Sequence, residues 1–487
     1  MQTYRDALPR SRDLYYGGGW HVSKSGTRMA LTNPATGESL GDVAAAEAED
    51  VDAAVAAAHE GFKVWRKVKP ADRAAILRQA AHVIRAHAEE IALIDAADSG
   101  GPYRRMIRDA EGGAAAFEFF AGLTTELKGS TIPFGDGCLN YTEHEPLGVV
   151  ARINAFNHPF LFAATRAAAP LAAGNAVVIK PPDQAPLSTL RLAELIGPLF
   201  PAGVISVLPG GLPCGERLTT HPLIAKVSLI GSVPTGKAIA RAAASSLKKV
   251  GLELGGKNAL VAYPDADPAA VAKGAVQGMN FTWCGQSCGS TSRVFLHSSI
   301  HDQVVDLIVE AIGKISFGLP TDPASEMGCL VNKAQLDKTA RYVQSGLDEG
   351  ASLAAGGRPM TDAPYANGFF FMPTVFTNVQ PTMAIAREEI FGPIMSILRW
   401  DDEDQMLDTV NDSEYGLTAS IWTNDLTTAH TAARRIEAGY IWVNNAGTHY
   451  LGAPFGGYKQ SGLGREESIE ELFECTQIKN INITFKI

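Results

Sequence analysis

The feature that most constrains this chain is a run of short apolar segments, each followed by helical periodicity, that begins after Pro146. Segments 148–153, 176–179, 204–208, 226–230 and 250–254 are predominantly apolar. Strands buried on both faces of a parallel sheet read this way, because helices cover both sides. Between them, 160–173, 187–199 and 236–247 carry helical spacing, the last with an Ala-rich face. Repeated βα units of this length predict a doubly wound, Rossmann-like α/β sheet. A second α/β pattern follows Cys288, with strands at 291–297, 370–377, 394–400, 419–423 and 440–443. Helices are expected over 300–312, 333–348, 402–412 and 426–438.

The first 45 residues read as an irregular arm with short strands. From 50 to 99 the chain is Ala-rich, with Ile76, Leu77, Ala80, Val83 and Ile84 at helical spacing. Another helix is expected over 112–123, with Phe117 and Phe120 on one face. Residues 128–147 look like a hairpin with little to bury, either a plain surface hairpin or an edge used for assembly. The tail from 477 alternates as a terminal strand. At 487 residues the chain is too long for one ordinary core. Its net charge of −10 and lack of any basic stripe exclude nucleic acid as a partner. No apolar run approaches the ~20 residues of a membrane span. The polar start and six scattered cysteines fit a cytoplasmic protein.

Chemistry concentrates in Phe281-Thr282-Trp283-Cys284-Gly285-Gln286-Ser287-Cys288-Gly289-Ser290. Cys288 lies among small residues, whereas a cysteine used for packing sits among bulky apolar ones. Gly285 and Gly289 let backbone and ligand come close. That setting suits a thiolate nucleophile; a small residue buried at a helix start is the competing reading. Cys284 has no second cysteine pair or histidine cluster nearby, so no metal centre is expected.

Glu253 ends an apolar strand in Gly251-Leu252-Glu253-Leu254-Gly255-Gly256-Lys257. Its flanking leucines should desolvate the carboxylate and raise its pKa towards the range of a general base, unless it is spent on an ion pair with Lys257. Asn157, in Asn154-Ala155-Phe156-Asn157-His158-Pro159, follows the first strand of the sheet. There its amide can reach a developing oxyanion, or simply shape a turn. Gly231 and Ser232 lead a strand into a helix whose first turn either binds phosphate or is merely capped. Asp183, just past the second strand and near Lys180, can accept bonds from a ribose hydroxyl and repel a 2′-phosphate. The pair otherwise reads as a solvated loop.

Taken in order, Asn157, Lys180, Gly231-Ser232, Glu253-Leu254-Gly255-Gly256-Lys257, Gly285-Gln286-Ser287-Cys288, Glu388-Glu389-Ile390-Phe391-Gly392-Pro393 and Pro454-Phe455-Gly456-Gly457-Tyr458-Lys459-Gln460-Ser461-Gly462 form a specific set. The set resembles the NAD(P)-dependent aldehyde dehydrogenase superfamily over nearly the whole chain. The resemblance implies Cys288 as nucleophile, Glu253 as general base, and Asn157 with the Cys288 N–H as oxyanion hole. It implies cofactor contacts at Lys180, Asp183, Gly231, Ser232, Leu254, Glu389 and Phe391, with NAD preferred to NADP. It implies a cofactor domain of 1–127 and 147–254, a catalytic domain of 255–460, and a small β bridging element of 128–146 and 461–487. That element implies a homodimer or homotetramer. Ala155 and Phe156 stand where the family usually has Pro and Trp, Asp183 replaces the common Glu, and Trp283-Cys284 replaces a polar pair.

The expected reaction is NAD-dependent oxidation of a small-molecule aldehyde to the carboxylic acid through a thiohemiacetal and a thioester. The funnel is expected from His158, Phe162, Thr165, Arg166, Phe281, Trp283, His449, Tyr450 and Phe455. Its flat walls suit a hydroxy- or carboxy-benzaldehyde, with the histidines and Arg166 as donors; the same polar groups could instead point into packing. Two rival functions are a CoA-acylating semialdehyde dehydrogenase, which Glu253 argues against, and a non-catalytic nucleotide-binding structural protein.

Overall fold

A computed structural model describes residues 3–485. Two largely parallel sheets dominate it. The first has eight strands in the order Gly19–His21, Leu14–Tyr16, Ile205–Val207, Ala176–Lys180, Val149–Ile153, Ile224–Ile230, Lys249–Glu253 and Gly462–Leu463. The five central strands run parallel, and their chain order reverses between Val149–Ile153 and Ile224–Ile230. A reversal of this kind opens a crevice at the carboxyl ends of the strands, the place where doubly wound sheets bind ligands. Four of the five central strands are almost entirely buried, as their apolar composition requires, and Lys249–Glu253 is buried at its last two residues, Leu252 and Glu253.

The second sheet has seven strands in the order Ser352–Ala355, Thr374–Thr377, Ile394–Trp400, Arg293–His297, Ala259–Ala262, Thr418–Trp422 and Tyr440–Val443, all parallel but the first. The expected strand at 370–377 shortens to its last four residues. Ala259–Ala262 was not foreseen, although it is central. Four small apolar residues after a glycine pair carry too short a pattern to separate from a loop. The chain passes from one sheet to the other between Glu253 and Ala259, which brings the carboxyl edge of the first sheet against the amino edge of the second.

Helix Tyr103–Gly122 begins nine residues before the expected start at 112. Gly112 and Gly113 look like breakers, yet the helix runs through them because it lies hard against helix Pro159–Ala173. A Cβ on Gly113 would come within 2.9 Å of the Ala164 Cβ and 3.0 Å of the Phe160 ring. Close approach repays the glycine's entropic cost.

A three-stranded antiparallel sheet pairs Thr476–Thr484 with Cys138–Pro146, and the latter with Thr131–Ile132. The segment 461–487 therefore divides. Gly462–Leu463 joins the edge of the first sheet, and helix Ile469–Glu474 packs on helix Pro159–Ala173 before the terminal strand begins. No helix among the described residues is long and apolar enough to cross a membrane.

Candidate active site

Register places the first-sheet residues. Ile153 lies opposite Lys180 on one side and Leu229 on the other, and Ile230 lies opposite Glu253. Lys180 and Glu253 thus end strands three steps apart, roughly 14 Å at about 4.8 Å per step. Asn157 follows Ile153 into the crevice and is buried, with its Oδ1 unpartnered.

Cys288 lies in a loop ahead of strand Arg293–His297 of the second sheet. Asn258 Nδ2 donates to the carbonyls of Cys288 (2.7 Å) and Ser290 (3.0 Å), while its Oδ1 accepts from the Thr418 N–H. Gln286 Oε1 accepts from the Val331 N–H at 3.1 Å. These two amides hold the loop from outside, and sequence reasoning missed Asn258, whose residue type signals nothing beside the glycine pair. Among the described residues the Cys288 N–H donates no backbone hydrogen bond. Cys284 is a separate matter: it is fully buried and its Sγ donates to the Gly328 carbonyl.

Cys288 and Glu253 face one cavity of 1190 Å³. Burial pushes the Cys288 thiol up to about 12, with the Glu253 and Glu389 carboxylates adding to the effect and Arg166 opposing it. Burial also raises Glu253 well above the ordinary carboxyl range, with Glu466 adding and Arg166 opposing. Both Glu253 oxygens lack a hydrogen-bond partner. No ion pair with Lys257 forms, because Lys257 is itself buried with its Nζ unpartnered; burial and then Arg293 lower it to about 7.

His158, Phe162, Thr165, Trp283, His449 and Phe455 all line the same cavity. His158 and His449 each commit one ring nitrogen: Nδ1 lies 2.7 Å from Asp109 Oδ2 in the first and 3.1 Å from Glu467 Oε2 in the second. The Thr165 hydroxyl donates back to the Leu161 carbonyl of its own helix at 2.7 Å. Arg166, expected as a donor to substrate, sits instead in a buried ion cluster. Its guanidinium is 2.9 Å from Glu466, 3.7 Å from Glu471 and 3.8 Å from Glu467, and Arg152 joins from the neighbouring strand. The Thr165 hydroxyl turns back on its own helix, as helical threonines do, and Arg166 meets carboxylates far along the sequence, neither of which a local pattern shows.

The crevice offers groups to a dinucleotide. Lys180 Nζ lies 2.7 Å from Asp183 Oδ1 at the exposed lip. Ser232 is exposed, and its Oγ caps helix Val233–Ala244 by accepting from the Thr235 N–H. Leu254 packs under that first turn, where a Cβ on Gly236 would meet it at 2.7 Å. Glu389 lies over the bare glycine backbone, accepting from the Gly256 N–H at 3.3 Å. Phe391 adopts φ +57°, a left-handed conformation uncommon outside glycine, and its carbonyl is held by Gln335 Nε2 at 2.6 Å. Strain of that kind collects at ligand sites.

A doubly wound sheet whose carboxyl edge meets a thiol-bearing loop of a second parallel α/β sheet is the build of a nucleotide-dependent enzyme. The chain belongs to the aldehyde dehydrogenase family, whose model matches residues 20–481. It is 51% identical over 485 residues to aldehyde dehydrogenase tropH of Talaromyces stipitatus, covering 98% of this chain and 94% of that one. An aldehyde dehydrogenase from Bacillus cereus, solved as an NAD+ complex, is 37% identical with a TM-score of 0.96, covering 100% of this chain and 99% of its own. The indole-3-acetaldehyde dehydrogenase AldA of P. syringae, solved with NAD+ and IAA, is 34% identical with a TM-score of 0.96 over the full length of both chains.

Proposed function

We propose that this chain oxidises an aldehyde to the free carboxylic acid, with NAD as acceptor and Cys288 as the covalent carrier. The observation that supports this most is the convergence of Cys288 and an unpartnered, buried Glu253 in one cavity. A dinucleotide fits the crevice residues, with Ser232 and Gly231 at its phosphates, Lys180 and Asp183 at the adenosine ribose, and Glu389 and Phe391 at the nicotinamide end. Bound there, the nicotinamide supplies the two-electron sink.

The Cys288 thiolate adds to the aldehyde carbon, and the Cys288 N–H with the Asn157 amide stabilises the oxyanion that forms. Loss of two electrons and the aldehydic hydrogen leaves a thioester on Sγ. Glu253, deprotonated, takes a proton from water, whose oxygen attacks the thioester carbon; the acid leaves and the thiol is restored. Glu253 opening onto the cavity favours water over a CoA thiol as the final acceptor. Asp183 near the ribose supports NAD over NADP. Phe162, Trp283, Tyr450 and Phe455 line the cavity and support a flat aromatic substrate, the class to which the P. syringae relative's indole-3-acetaldehyde belongs. We place cofactor binding in 1–127 and 147–254, catalysis in 255–460, and assembly as a homodimer or homotetramer in the three-stranded sheet.

Spectrophotometric assay of Cys288→Ala tests the core of this reading: NADH production from a broad aldehyde panel should vanish while NAD still binds. Near-normal activity in that variant, with loss in Cys284→Ala, would overturn it.

A further inference from the structure

The cavity wall contains cations that enter no ion pair among the described residues. Helix Tyr103–Gly122 turns Arg104, Arg105 and Arg108 towards the same cavity as Cys288. Arg104 donates to the Pro323 carbonyl. Among the described residues Arg105 and Arg108 enter no ion pair and no hydrogen bond, unlike Arg166 deeper in the same wall, which faces three carboxylates. The two carboxylates near Arg105 are already engaged. Asp109 is bound to His158, and Glu326 accepts from the backbone N–H and hydroxyl of Ser316.

Arg105 is partly buried, so its lack of a partner matters. Its guanidinium carbon lies 5.2 Å from the centre of the Trp283 ring, and the His158 ring lies 5.0 Å from the same indole. Trp283 is therefore flanked by an unpaired cation on one side and by the residue following Asn157 on the other. Arg105 stands one helical turn, about 6 Å, before Asp109, which anchors His158. Burial and Arg108 both oppose the charge on Arg105, and Asp109 and Glu326 offset this only in part, from beyond ion-pair distance. A pair of neighbouring guanidinium groups in a cavity wall presents rigid forks of donors that match a carboxylate in two-point geometry.

We infer that Arg105 and Arg108 form an anion subsite for a carboxylate carried by the substrate at the end remote from its aldehyde, with the body of the molecule lying along Trp283. This rests on the proposed oxidation at Cys288 and refines its substrate: a ring bearing a carboxylate fits better than a phenol, because the histidine nitrogens that would have met a hydroxyl are partly spent.

The test compares kcat/KM for 4-formylbenzoate with that for its methyl ester, and for succinic semialdehyde with butanal, using the full-length enzyme and NAD. The charged member of each pair should be preferred about ten- to a hundredfold, the worth of one charge-assisted hydrogen bond. In Arg105→Met/Arg108→Gln that ratio should fall towards one, mainly through KM, and Arg105→Lys should keep part of it. Raising ionic strength should shrink the wild-type ratio. Calorimetric titration with terephthalate gives a readout free of turnover: binding should be lost in the double variant. Equal turnover of acid and ester by the wild type, or a ratio and terephthalate affinity unchanged in the double variant, would overturn the subsite. An Arg-dependent charge preference confined to the aliphatic pair would uphold it and sink the aromatic reading. Terephthalate binding lost in the double variant, with no aldehyde oxidised by the wild type, would uphold it and sink the proposed oxidation.

Discussion

The pKa values of Glu253 and Cys288 are both raised by the same cause, burial beside other carboxylates, with Arg166 too heavily committed to Glu466, Glu467 and Glu471 to reverse it. Both working forms are the deprotonated ones, so activity should rise with pH across the neutral and mildly alkaline range. A kcat/KM profile at saturating NAD that is flat from pH 6 to 9 would overturn this, because kcat/KM reports groups that ionise before substrate binds. Glu253→Gln keeps the shape and removes the base. It should give one rapid NADH burst followed by turnover slowed about a hundredfold or more, within the range general-base loss commonly costs; absence of the burst would place Glu253 before thioester formation. Asp183→Ser should narrow an NAD over NADP preference of about tenfold, corresponding to about 1.4 kcal/mol, and equal efficiencies in the wild type would remove the premise. The reactive residues were legible because their neighbours in sequence are unusual: a cysteine among glycines, a glutamate between leucines. Thr165 and Arg166 misled because their partners, the Leu161 carbonyl and residues near 470, decide where their polar atoms go.

Helices Ala88–Ser99 and Tyr103–Gly122 show what pattern reading loses at the level of elements. The first carries Asp95, which accepts from the Phe160 N–H at 3.2 Å, and Asp98, which accepts from the Leu187 N–H at 3.0 Å, so one helix caps the starts of two others. Two acids in an Ala-rich segment read as a solvated face; here both are buried. The second helix runs through glycines that a pattern takes as its start, so its first turns, with Arg105 and Arg108, lie outside the expected helix. Asp95 offers a test of the capping arrangement. Burial, with Asp109 adding, raises it to about 7 in the folded protein, against about 3.9 unfolded. A raised folded pKa stabilises most below the unfolded value, and that contribution disappears as pH rises through about 7. Asp95→Asn still accepts from Phe160 and never ionises. Its melting temperature should therefore gain on the wild type as pH goes from 5 to 8, by about 2 °C or more. A constant gap across that range would place the Asp95 titration below pH 5.

At the scale of the whole molecule the doubly wound sheet was legible because each of its strands is a self-contained apolar run. The way the tail is shared between the first sheet and the terminal strand was not, since Gly462–Leu463 is two residues long. The three-stranded sheet is the part least able to stand alone. Thr476–Thr484 lies at its edge with one row of backbone groups unpaired, and Ile478 and Ile483 remain 67% and 37% exposed, one on each face. Ile132, Phe134 and Phe485 are exposed nearby. Small sheets without a covered face are marginal in water, and clustered apolar exposure marks an interface. Covering each isoleucine in a second copy of the chain would contribute about 1 to 2 kcal/mol, and pairing along the edge would satisfy the backbone row. Light scattering should therefore find a mass of at least twice the 51.6 kDa chain. Ile478→Lys/Ile483→Lys should shift the population towards smaller species and lower the melting temperature at dilute protein concentration, while the catalytic cavity, built wholly within one chain, keeps its residues. A wild-type protein that runs as a monomer at micromolar concentration would rule out this assembly face.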